Sequence, residues 1–165
     1  MFQKGKIQPG QKVLIYGASG AVGTYMVQLA RRRFGAEVTG VCNGANLELV
    51  KPLGASQVID YTWQDFMQTG ATYDVVFDAV GKLTPAQGKK ALKHGGIYLN
   101  VHADSDGSDK LENLLVLKGL VEAGKLKPAI DRVYPLEQIV EAHRYVDQGH
   151  KKGNVAITVE HHSDT

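Results

Sequence analysis

Residues 13–23 read VLIYGASGAVG, and TYMVQLARR continues from residue 24. Val13, Leu14, Ile15 and Tyr16 form a short run of the kind that makes a buried strand. Gly17, Gly20 and Gly23 follow at intervals of three, and the residues after them take up helical spacing. A strand that passes through glycines into a helix brings main chain within contact distance of a phosphate pair. Glycine removes the side chains that would block approach, and the first helical turn offers unpaired N–H groups with a partial positive charge. The motif can be framed as Ala18-x-Gly20-x-x-Gly23, a dinucleotide fingerprint with alanine in the first glycine's place, or as Gly17-x-x-Gly20-x-x-Gly23. A second strand-like run, AEVTGVC at 36–42, follows at the distance the mechanism requires. The plain alternative is a tight strand-to-helix turn that binds nothing.

Composition narrows the setting. A chain of 165 residues suits one domain, able to bury roughly two-thirds of its unfolded surface. The net charge of +2 comes with no basic stripe, since the densest runs are RRR at 31–33 and KK at 151–152, so no nucleic-acid partner is expected. Cys42 is the only cysteine, which excludes an internal disulfide and a multi-cysteine zinc site. No apolar run approaches the ~20 residues of a membrane span, and MFQKGKIQPG has no signal-peptide core. No membrane association and a cytoplasmic or organellar-soluble setting are therefore expected.

Strands and helices alternate along the chain, which predicts an α/β fold with a doubly wound parallel sheet. The expected strands are KVLIY, EVTGVC, SQVID, YDVVFDAV and IYLNV, with NVAITV last. A helix is predicted from about Gly20 to Phe34, another over NLELVK, and a weak one over YTWQDFMQ capped by Thr62. TPAQGKKALK should be helical with Gly95-Gly96 at its end, and a helix should begin near Asp109, with Leu111, Leu114, Leu115 and Val121 on one apolar side. A further helix starts near Pro135 and places His143 on its apolar face as a core histidine, while His161 and His162 fall in a polar tail. Five βα-type units predict a strand order of 3-2-1-4-5 with right-handed crossovers.

The segments QPGQKVLIYGASGAVG, FGAEVTGVC, LGASQVIDY, YDVVFDAVG and LVEAGKLKPAIDRVYPLEQIVEAHRYVDQGHKKGNVAITV resemble the medium-chain dehydrogenase/reductase superfamily, in its quinone-oxidoreductase-like or zinc-type alcohol dehydrogenase branch. The likeness covers nearly all of residues 5–160. It implies a Rossmann fold, with 1–165 as a single dinucleotide-binding domain and the family's N-terminal catalytic domain absent. It also implies hydride transfer between a nicotinamide and a quinone, enone or carbonyl/alcohol substrate. By position, Ser19, Gly20, Ala21, Val22 and Gly23 would meet the pyrophosphate, and Asn43 and Asn46 would lie in the loop that reads the ribose. Tyr61 would lie against the adenosine end. Ala79, Val80 and Gly81 would border the ribose and nicotinamide, Asn100 and Val101 the nicotinamide, and Lys152 and Asn154 would lie where a phosphate contact is often found. Tyr61 as an exposed cap and Lys152 as a plain surface charge are the structural alternatives.

An NAD enzyme generally carries Asp or Glu after the second strand. Here Cys42-Asn43-Gly44-Ala45-Asn46 has no carboxylate before Glu48. That favours NADP(H) over NAD(H), although the cation that usually holds the 2′-phosphate is missing too, a charge-assisted bond worth ~1.5–3 kcal/mol. The chain also departs from the family between Val101 and Leu111, where only a short polar loop replaces the passage to a sixth strand. The helix before FGA is one residue longer than usual, and Pro52 sits late in the second helix.

No catalytic residue can be named. None of the seven tyrosines has a lysine four residues on, no metal-ligand set is present, and GASGA is not a nucleophile elbow. Cys42 reads as a small buried filler. Two readings stay open: the NADP(H)-binding domain of an oxidoreductase, and a non-catalytic NAD(P)-binding or sensing module. An α/β domain for a mononucleotide or flavin is a third. Bare surfaces favour a homodimer.

Overall fold

A computed structural model describes residues 5–105 and 111–160. Five parallel strands form the main sheet in the order β3-β2-β1-β4-β5: β1 (Lys12–Tyr16), β2 (Glu37–Cys42), β3 (Gln57–Asp60), β4 (Tyr73–Asp78) and β5 (Leu92–Asn100). This is the expected doubly wound order. β1 is central, and its apolar run has a direct cause: both faces of the strand are covered. Val13 and Ile15 join one cluster with Met26, Val27 and Ala30 of helix α1 (Ala21–Arg32). Leu14 joins the opposite cluster with Val41, Val76 and Phe66. A strand buried on both faces reads as continuous apolar sequence rather than an alternation.

Several expected elements take other forms. The second helix is broken into a 3-10 turn at Gly44–Asn46, a single α turn, α2 (Leu47–Val50), and another 3-10 turn at Lys51–Leu53 that accommodates Pro52. No helix spans 61–68. The Asp60 carboxylate accepts from the Thr62 N–H and hydroxyl and bends the chain there, and Asp65 instead caps a 3-10 turn at Phe66–Gln68. Helix α3 (Pro85–Lys90) opens on a reciprocal capping box between Thr84 and Gln87, with Pro85 in the first turn. Gly95-Gly96 lies within β5, not at the helix end. Tyr73 pairs with Leu92 but Val75 pairs with Ile97, so the residues between bulge out of register.

Helix α4 (Leu111–Glu122) contains no buried residue; Leu111, Leu114 and Leu115 are each more than half exposed. The N-cap expected at Asp109 and the histidines at 161 and 162 lie outside the described residues. A strand that sequence patterning missed, β6 (Ile130–Pro135), pairs in parallel with β7 (Asn154–Thr158) across helix α5 (Ile139–Asp147). Its sequence IDRVYP lacks an apolar run because every residue of β6 stays half-buried or exposed. His143 is exposed rather than part of a core.

The small β6–β7 sheet is anchored beside the glycine-rich turn. Buried Gln28 of α1 donates to the Lys127 carbonyl and accepts from the Lys127 N–H, both at 2.9 Å. The Gly153 N–H donates to the Ser19 carbonyl at 2.8 Å.

Candidate functional site

The glycine turn is built by backbone constraints from three sides. Gly17 has φ +81°, a conformation that disfavours a side chain, and a Cβ there would overlap Val80. The Gly17 and Ala18 N–H groups both donate to the Val41 carbonyl, at 2.9 and 3.0 Å, tying the end of β1 to β2. The Ala79 N–H donates to the Tyr16 carbonyl at 2.9 Å and ties it to β4. β2 and β4 thus flank β1 on opposite sides, the switch point at which an α/β sheet opens a crevice beyond its carboxyl ends.

α1 begins in that crevice. Gly20 is its N-cap, with no side-chain cap, and the first helical bond runs from the Thr24 N–H to the Gly20 carbonyl at 3.0 Å. The N–H groups of Ala21, Val22 and Gly23 precede that bond and have no acceptor within the helix. A Cβ on Gly20 would meet only the Gly17 carbonyl oxygen, at 3.4 Å, so the space in front of this residue is open. Gly23 is the reverse case. A Cβ there would overlap the Gly17 oxygen and lie 2.8 Å from the Ala18 Cα. One glycine therefore leaves the approach to the helix start open, and the other lets helix and turn touch.

Asn43 and Asn46 shape the loop after β2. The Asn43 side chain accepts from the Ala45 N–H at 3.0 Å. Asn46 donates to the Ser19 hydroxyl at 3.2 Å, and its own Oδ1 is buried with no protein partner. A buried acceptor left unpaired costs ~1–3 kcal/mol, so this atom marks a place where a donor fits. Tyr61, just past β3, is half exposed with its ring 6.4 Å from that of Tyr16.

On the other side of β1, the buried Asp78 carboxylate organises the turn after β4. It accepts from the backbone N–H groups of Val80, Gly81 and Leu83 at 3.0, 2.8 and 2.8 Å, and from the Asn100 amide at 3.3 Å. Ala79, Val80, Gly81, Asn100 and Val101 are thereby brought together. Both ends of the Asn100 amide are engaged, since its oxygen also accepts from the His102 N–H at 2.9 Å. The His102 ring lies 3.3 Å from the Val80 carbonyl. With Gly81 and Asn100 it lines a hollow of about 610 Å³.

Lys152 is exposed, with its N–H donating to Asp131. Asn154 reaches α1, its amide 3.4 Å from the Tyr25 hydroxyl. Asp60, Asp78 and His102 were not anticipated as site residues. The only available signal was their position at or just past the carboxyl ends of strands, where side chains of an α/β sheet converge.

Cys42 is buried, as expected. Burial, with a smaller contribution from the Asp60 charge, pushes its thiol up to about 11 from 9.0. The folded value lies above the unfolded one. The stability that this thiol contributes is therefore present below pH 9.0 and is lost as pH rises through about 11. At about pH 8 the folded chain is expected to resist a disulfide reagent that titrates the single thiol in denaturant; rapid labelling of folded chain would contradict this.

Comparison with known proteins gives a family and the same overall fold. The zinc-binding dehydrogenase family profile matches residues 21–124, and a second profile of the same description matches residues 98–157. The chain belongs to the zinc-binding dehydrogenase family. It thus lies within the medium-chain dehydrogenase/reductase superfamily. It is 35% identical to the 2-methylene-furan-3-one reductase of Solanum lycopersicum, over 94% of its own length and 42% of that protein's. It is 32% identical to the chloroplastic NADPH-dependent alkenal/one oxidoreductase of Arabidopsis thaliana, over 90% of this chain and 40% of that one. The quinone oxidoreductase from Coxiella burnetii superposes with a TM-score of 0.86 at 28% identity, covering 96% of this chain and 56% of that structure. The chain therefore spans about 40% of the length of the two plant relatives. Among the described residues no three His, Cys, Asp or Glu side chains group to hold a metal, so the zinc of the family's description finds no ligand set in them. No helix among them is long and apolar enough to cross a membrane.

Proposed function

We propose that this chain binds NAD(P)H across the carboxyl ends of β1 and β4 and orients it for reduction of a quinone, enone or carbonyl substrate. The single observation that carries the reading is the open space before Gly20 at the uncapped start of α1. The Ala21, Val22 and Gly23 N–H groups would hold the pyrophosphate, with Ser19 at the edge of the same turn. The buried Oδ1 of Asn46 would accept from a ribose hydroxyl. Tyr61 would flank the adenosine, and Ala79, Val80, Gly81, Asn100 and Val101 would border the nicotinamide ribose and ring. Lys152 and Asn154 would approach the phosphates from the β7 side.

Bound there, the nicotinamide supplies a hydride, while the protein contributes placement and exclusion of water. The turn made by Asp78 would present a fixed wall to the ring, because its carboxylate anchors the Val80, Gly81 and Leu83 N–H groups. NADP(H) is favoured over NAD(H) by the lack of an acid in Cys42–Asn46 and by the coenzyme named for the Arabidopsis relative. Residues 1–165 would serve as one dinucleotide-binding domain. The exposed leucines of α4 support a homodimer.

Side-by-side calorimetric titration of the full chain with NADPH and NADH tests the reading. Saturable one-to-one binding of at least one is expected, and binding of neither would overturn it. Coupling the titration to NADPH-dependent reduction of a simple quinone separates two outcomes. Turnover above background would exclude a non-catalytic NAD(P)-binding module, whereas binding without turnover would support the coenzyme site alone.

A further inference from the structure

We infer that Asp60, reaching across from the end of β3, restrains the preference of this site for NADPH by setting a carboxylate where β2 itself carries none. The inference rests on the dinucleotide reading above and concerns how one end of the coenzyme is told apart.

The register of the sheet places it there. Cys42, the last residue of β2, pairs with Asp60, the last of β3. The next turn of the β2 loop then runs against the Asp60 side chain. A Cβ on Gly44 would overlap the Asp60 carboxylate, so only glycine lets the loop pass this close. The Asp60 carboxylate accepts from the Thr62 hydroxyl at 2.7 Å and the Thr62 N–H at 2.9 Å. These bonds hold the Asp60 carboxyl below its usual range, and it is ionised at neutral pH.

A 2′-phosphate entering this loop would meet three disadvantages. It would face a like charge. It would find the space beside Gly44 already taken by the Asp60 carboxylate. It would also lack a counter-charge: residues 43–50 contain no Lys or Arg. Lys51 is paired with Glu48 at 2.9 Å, and Arg31 and Arg32 donate to the main-chain carbonyls of Ala36, Lys125 and Pro52. What the loop offers is acceptors, namely the Asp60 carboxylate and the unpartnered Asn46 Oδ1. Acceptors suit the free ribose hydroxyls of NADH and so narrow the margin by which NADPH is favoured. Sequence inspection of the β2 loop alone misses this, because the acid lies 16 residues beyond Gly44 and arrives through strand pairing.

Asp60→Asn in the full chain tests the assignment, since an asparagine still accepts from Thr62 while losing the charge. Calorimetric titration is expected to show the ratio of NADPH to NADH affinity rising about tenfold at low salt. For the unmodified chain, the same ratio is expected to rise between about 0.05 and 0.5 M salt as the repulsion is screened. A phosphate held by a cation would give the opposite slope. An unchanged ratio in Asp60→Asn, a ratio that falls with salt, or loss of both coenzymes in the variant overturns the inference while the dinucleotide reading stands. Failure of the unmodified chain to bind either coenzyme overturns both.

Discussion

Gly20→Val is expected to reduce NAD(P)H affinity by more than about a hundredfold while the domain stays folded. A valine here meets little protein: the backbone is at φ −81° and ψ 177°, open to any residue, and the nearest obstacle to a Cβ is the Gly17 oxygen at 3.4 Å. The isopropyl group would instead fill the space through which a diphosphate must reach the Ala21, Val22 and Gly23 N–H groups. Losing two such charge-assisted bonds, at ~1.5–3 kcal/mol each, corresponds to two decades of affinity or more. The fold loses only the N-cap preference, about 1 kcal/mol, which lowers the Tm by roughly 2–4 °C. Calorimetric titration and a thermal melt of the same sample measure both. Unchanged affinity would mean that the diphosphate is held somewhere else.

The second glycine of the pair gives the opposite result. Gly23→Ala should destabilise the chain by about 2–3 kcal/mol, seen as a Tm lowered by roughly 4–12 °C. Alanine is the better helix former, by about 1 kcal/mol, so propensity alone predicts a gain. Packing reverses the sign. The added methyl group would overlap the Gly17 carbonyl and press on the Ala18 Cα, both of them backbone atoms with no rotamer to yield. The helix must back away from the turn, and coenzyme affinity should fall with it. A variant as stable as the parent would show that the α1-to-turn approach is looser than these contacts require.

The contrast between these glycines explains how far the sequence could be read. Their spacing announced a strand-turn-helix passage, and nothing in the spacing said which glycine faces a ligand and which faces main chain. The core strands were equally legible. Lys12–Tyr16 and Glu37–Cys42 fall where the apolar runs predicted, because both faces of those strands are buried. β6 was not legible, for the inverse reason: a strand of a two-stranded sheet with no buried residue needs no apolar pattern. The helix expected over 61–68 failed through one side chain, since Asp60 draws Thr62 into a turn that local propensity cannot anticipate. The stripe of leucines in α4 has helical spacing yet covers no core.

The order of amino acids by itself determined the doubly wound sheet, the place of the glycine turn and the family to which the chain belongs. Those features are local: burial on two faces, backbone conformations open only to glycine, and the periods of strand and helix write themselves into neighbouring residues. Tertiary structure alone decided which charges stand at the site. Asp60 reaches Gly44 through the pairing of β2 with β3, and Asp78 holds Asn100 across the pairing of β4 with β5. Electrostatic environment is a property of proximity in space, and a parallel sheet brings the carboxyl ends of its strands together however far apart they lie along the chain.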